Sequence, residues 1–93
     1  MRRIKQRTIQ ADRHTAATDV SSATGADLTF DGVGVSVFCN VAGDVEVVDL
    51  SGQASVYTMV AGSMINPPLF SRIESDNSTS TSVIVGYVAN IQP

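Results

Sequence analysis

Asp44, Glu46 and Asp49 are the one group of carboxylates that falls inside a strand-like segment. Residues two apart on a strand project to one face, so Asp44 and Glu46 would offer oxygens to a hard cation such as Ca2+. The ligand-rich loop that calcium sites use is missing around them. The plainer reading is a solvated face that discourages edge-to-edge pairing. His14 is the only histidine and Cys39 the only cysteine. A general base at His14 would be tethered to a polar, loosely held N-terminal stretch. Cys39 has no base near it in the sequence to take its proton, which disfavours a nucleophile and leaves a reduced, half-buried strand residue. One His and one Cys make neither a metal cluster nor an internal disulfide. The expectation is a chain that is not an enzyme and uses no metal or cofactor.

The remaining reactive side chains are cationic, and they are concentrated. Arg2, Arg3, Lys5, Arg7 and Arg13 account for five of the six basic residues. Residues 1–14 therefore carry a charge of +4 and residues 15–93 a charge of −7, consistent with the net −3. Guanidinium groups in such an arm pair with carboxylates or phosphates. Phosphate binding would be salt-sensitive, but the acidic body offers no aromatic stacking platform, and its five aromatic residues suit a core better. An acidic protein surface is the expected partner of the arm, and nucleic acid is disfavoured.

The elements that would hold these groups follow from the rest of the chain. Residues 1–25 show neither a two-residue nor a helical period, and Gly25 closes the stretch. A helix over residues 4–13 would have too thin an apolar stripe to dock firmly. The expected organisation is a basic, extended or flexible arm over residues 1–25 and a β-sandwich domain over residues 26–93. Within the latter, residues 28–30 form a short strand ended by a turn at Asp31-Gly32. Val33, Val35 and Val37 then alternate with Gly34, Ser36 and Phe38. Residues 45–50 form a strand after the connection at Ala42-Gly43-Asp44. Ser51-Gly52-Gln53 turns the chain into residues 54–60, where Val56, Thr58 and Val60 oppose Ser55, Tyr57 and Met59. Pro67-Pro68 mark a crossover or an edge. Residues 69–74 resume a strand, and residues 76–81 form a polar loop. Residues 82–90 are apolar on both faces, which suits a central strand or one packed on a second subunit, with Ile84, Tyr87 and Val88 as interface candidates. The fold class is all-β: a small antiparallel β-sandwich or jelly-roll-like barrel of six to eight short strands.

A unit of this size buries little apolar surface by itself, and with disulfide and metal unsupported, self-association or docking on a larger assembly is the expected supplement. No segment approaches the length of a membrane span, and no apolar stretch follows Arg2-Arg3 as in a signal peptide. The expectation is synthesis in the cytoplasm.

The run Val35-Ser36-Val37-Phe38-Cys39-Asn40-Val41-Ala42-Gly43-Asp44-Val45-Glu46-Val47-Val48 resembles small tailed-phage virion proteins, in particular head-spike base proteins of phages and gene-transfer-agent particles. The likeness continues through Val60-Ala61-Gly62, a proline-containing approach to Leu69-Phe70, Arg72-Ile73, the turn Asn77-Ser78-Thr79-Ser80-Thr81 and a strand ending in Gly86-Tyr87. It rests on an order of strands and turns, with no shared catalytic or ligand motif, and the basic arm departs from it. The resemblance implies a capsid decoration or cement protein on the outer surface of a virion. It further implies a homo-oligomer, trimer or pentamer, whose arm meets the major capsid protein or another virion protein. A host- or glycan-binding module of a virion, with Tyr57 and Tyr87 stacking on sugars, is the alternative expectation.

Overall fold

The computed structural model describes residues 10–89. Among them no helix forms, and seven strands build one antiparallel sheet: β1 (Arg13–His14), β2 (Leu28–Cys39), β3 (Gly43–Asp49), β4 (Ala54–Met59), β5 (Ser63–Ile65), β6 (Phe70–Glu74) and β7 (Val83–Ala89). The order across the sheet is β1-β7-β2-β6-β3-β4, with β5 pairing β2 beside this path. The all-β expectation is met with a strand number inside the expected range.

One strand organises the rest. β2 pairs β6 through Leu28, Thr29 and Gly34, then pairs β5 through Val37, Phe38 and Cys39. Along its other side it pairs β7 from Gly32 to Cys39, with a register shift between Gly34 and Ser36 that leaves Val35 as the extra residue. Such a bulge bends and twists a strand. The sequence reading placed a turn at Asp31-Gly32, and the structure corrects it: β2 runs through both residues. Gly32 lies opposite Ala89 and so close to the Val88 carbonyl that a β-carbon would not fit. The glycine there admits a neighbouring strand; it does not reverse the chain.

The inner face carries the core. Val37, Cys39, Val45, Phe70, Ile73, Val83 and Val85 are fully buried and belong to one cluster, together with Val20 and Met59. Strands from opposite ends of the sheet order thus meet in a single interior, so the sheet curls onto itself. Each large side chain buried there stabilises the fold by about 1.5–3 kcal/mol. Phe70 is central: its ring and that of Phe30 meet edge to face at a centroid distance of 5.8 Å, and the missing side chain of Gly34 makes room for it. Cys39, expected to be half-buried, is completely enclosed, because it continues the inward alternation of Val37.

The expected arm divides. Residues 1–9, with Arg2, Arg3, Lys5 and Arg7, lie outside the described residues. Residues 12–22 run as extended chain along the free side of β7 and the loop before it. Asp12, Thr15 and Thr18 donate backbone N–H bonds to the carbonyls of Tyr87, Val85 and Val83 (3.1, 2.9 and 2.9 Å), and Ser22 donates to Ser78 (2.9 Å). Val20 inserts into the core at zero exposure. The packed unit therefore reaches back to Asp12, fourteen residues before Ala26. This strap escaped the sequence because backbone bonds hold it, and its small polar side chains set no period.

Candidate interaction surface

The carboxylates singled out in the sequence do not converge. Asp44 accepts a bond from the Thr58 hydroxyl across the β3–β4 pair (2.9 Å). Glu46 is buried, and its oxygens accept from the backbone N–H and side-chain amide of Asn77 (3.3 and 3.0 Å). This corrects the expected solvated face: the loop of residues 75–82 folds over β3, where Ser78 accepts from the Glu46 N–H (2.9 Å) and donates to the Glu74 carbonyl (2.5 Å). Glu74 stands across the ladder from Glu46 and is paired instead with Arg72 (2.7 Å).

Asp49 closes the β3–β4 turn, accepting from the Ser51 hydroxyl and N–H and the Gln53 N–H (2.6, 2.9 and 3.0 Å). Gly52 adopts a positive φ of 91° there, which a side chain would strain. The Ser51 hydroxyl and Gln53 N–H hold the Asp49 carboxyl below the usual carboxylate range. Asp19 does the same work in the strap, taking the hydroxyls of Thr24 and Ser21 at 2.5 and 2.7 Å, and these bonds lower its pKa. Burial pushes the Cys39 thiol up, against a weaker opposing bond from the Ser80 hydroxyl. No group of three or more potential metal ligands forms among the described residues.

What the fold does assemble is an apolar cleft on the outer face. Ser36 and Gly86, cross-strand neighbours with little or no side chain, form its floor. Phe38 and Ile84 wall it, Met64 rims it from β5, and His14 and Thr15 of the strap close the fourth side, enclosing about 400 Å3. A second depression of about 230 Å3 shares His14, Ser36 and Met64 and extends the cleft to Gln10, Ala11 and Asn66. The strap sits this close because Gly86 has no β-carbon; one built there would stand 2.9 Å from the Ala11 β-carbon.

The interface candidates fall on two faces. Ile84 lines this cleft and Val88 pairs with Val33, on the outward side of β7. Tyr87 points inward, stacked on Phe30 at 5.1 Å and packed against the core. Tyr57 likewise packs against the core, so neither tyrosine stands free as a sugar platform. Arg13 is exposed and lies opposite Tyr87 in the β1–β7 pair.

The sequence reading missed other outward apolar residues: Leu50, Val56 and Val60, in and beside β4, are 57, 49 and 68 % exposed, and Met64 on the cleft rim is 60 % exposed. The alternation in β4 was correctly read, but Tyr57 and Met59 take the inward face and leave Val56 outside. The signal was present in β4's composition, whose two faces are both apolar. No family model matches the chain, and neither curated proteins nor solved structures show a significant match to it.

Proposed function

We propose that this protein is a structural component of a virion, a cement protein or head-spike base that decorates or stabilises a capsid from its outer surface. Its β body self-associates, and its basic arm (Arg2, Arg3, Lys5, Arg7 and Arg13) docks on an acidic surface of the shell protein. The observation that carries this reading is the strap. Residues 12–22 fix the root of the cationic arm on the rim of an apolar cleft, so charge and apolar surface address one partner together. The body's carboxylates meanwhile serve its own turns: Asp19, Glu46 and Asp49 are all occupied by internal donors. Such a division suits a protein that adds contacts between neighbours. Ordering an arm costs about 1–2 kcal/mol per residue, so charge pairs must offset that cost for the arm to stay bound.

The test is sedimentation with particles. Cells making the chain are lysed, and phage-like particles are separated on a density gradient. The full chain is expected to travel with the particles and to be released in about 1 M salt, where charges are screened within about 3 Å. A truncation that begins at Gln10 keeps every strap hydrogen bond described above and should lose attachment. Full chain remaining at the top of the gradient overturns the virion reading. Normal attachment by the truncated form overturns the arm's part in it.

A further inference from the structure

Among the described residues the sheet has three edges, and they are built differently. β1 is two residues long and carries Arg13. β5 is three residues long and is followed within three positions by Pro67 and Pro68. Short length, charge and proline are the usual means by which proteins blunt an edge. β4 has none of them: it presents six residues, Ala54-Ser55-Val56-Tyr57-Thr58-Met59, free of charge and of proline. Among the described residues, β3 pairs it on one side and no strand pairs it on the other.

Ladder geometry tells which groups of β4 are open. In an antiparallel pair, hydrogen-bonded and non-hydrogen-bonded pairs alternate. On β3, the Glu46 N–H bonds Ser78 and the Asp44 carbonyl accepts from Thr79 and Ser80, all on the side away from β4. Their cross-strand neighbours Val56 and Thr58 therefore sit in non-hydrogen-bonded pairs. By the same alternation Ser55, Tyr57 and Met59 bond β3, while Ala54, Val56 and Thr58 aim their N–H and C=O groups outward. These three residues are also solvent-exposed.

We infer that β4 is the pairing edge for a second copy of this chain, joined antiparallel about a two-fold axis through Val56. The inference rests on the proposed self-association and makes it a two-fold dimer, in place of the trimer or pentamer that the resemblance implies. In this register Val56 faces Val56 and Ala54 faces Thr58, giving three hydrogen-bonded pairs and about six backbone bonds. A two-fold places each residue of the strand against its own kind or its mirror position, so any charge at the centre would meet itself. β4 carries none, whereas β1 would oppose Arg13 to its own copy. Leu50 and Val60 flank the strand at its two ends and are both exposed, so the antiparallel register brings each copy's Val60 toward the other's β3–β4 turn.

Sedimentation-velocity and light-scattering measurements on the full chain test this together with two variants. Val56→Lys places like charges directly opposite each other and is expected to weaken association at least about tenfold. Val56→Cys brings two thiols to α-carbon distances of about 5.5 Å, within disulfide range, and mild oxidation should give a covalent dimer. Met64→Cys, exposed elsewhere, should not cross-link this way, and the enclosed Cys39 contributes no background. Assembly of Val56→Lys at wild-type strength, with no cross-link in Val56→Cys, overturns the β4 edge while leaving self-association standing. A wild-type chain that stays monomeric at the highest concentrations overturns both, and particle sedimentation judges the virion reading separately.

Discussion

The two flanks of this sheet meet the same physical problem with opposite solutions. β7 is covered by the chain's own residues 12–22, which satisfy its outward backbone groups and insert Val20 beneath it. Among the described residues β4 is left uncovered, with Val56 exposed beside outward N–H and C=O groups. An unpaired edge is a template for another strand. A chain that covers one flank with the eleven residues 12–22 and, among the described residues, leaves the other bare would direct the proposed association to the bare one. The strap belongs to the folding of the single copy, and on the reading proposed above β4 serves its assembly.

The largest expected effect comes from removing the cover. Val20→Ser puts a hydroxyl into the fully buried site and opens a void, and should cost about 3 kcal/mol, read as a lower urea midpoint. The corresponding change on the other flank, Val56→Ser, should stay within about 0.5 kcal/mol under dilute conditions. Equal losses would erase the distinction between the flanks.

A second cover lies over β3. Ser78→Ala leaves the buried Glu46 N–H without its acceptor and should cost about 1–3 kcal/mol. Hydrogen exchange at the Glu46 amide should accelerate with it. An unchanged exchange rate would mean that the loop of residues 75–82 does not protect β3.

The smallest effect is one of pH, and each flank contributes one group. Asp19 in the strap and Asp49 in the β3–β4 turn both titrate below the unfolded carboxylate range. A lowered pKa means that the stabilisation is present above about pH 4, the unfolded value, and is lost as pH falls through the lower folded value. Thermal melts should therefore drop below about pH 4, and Asp19→Asn and Asp49→Asn should each flatten that drop in part. A steeper acid loss in either variant would contradict the assignment.

How much of this was legible in the sequence depended on what holds each segment. The strands β3 and β7 were visible as runs over residues 45–50 and 82–90, because a core selects apolar side chains, whereas both carry apolar residues on two faces, so the inward side of Val45, Val83 and Val85 emerged only from the fold. Ser51-Gly52-Gln53 was readable because its geometry demands a glycine, and Pro67-Pro68 because proline lacks a ladder donor. The strap, β1 and β5 were not readable. They are short or irregular and are fixed by backbone bonds to distant strands, which leave no local pattern. Asp31-Gly32 misled because a pair that favours turns also suits a strand in close approach to Val88. The strand that carries Ile84 was predicted from its apolar run, whereas the cleft it lines needs Gly86 and Met64 brought together from separate strands.

The lone thiol of Cys39 has a practical consequence. It is the last residue of β2, with no exposure, and burial raises its pKa, so a thiol reagent in solution meets it only when the sheet opens. The native chain thus carries its own unfolding clock. Labelling rates would time how often β2 parts from β5 and β7, and a slower clock in the assembled form would show how firmly neighbours hold each copy shut.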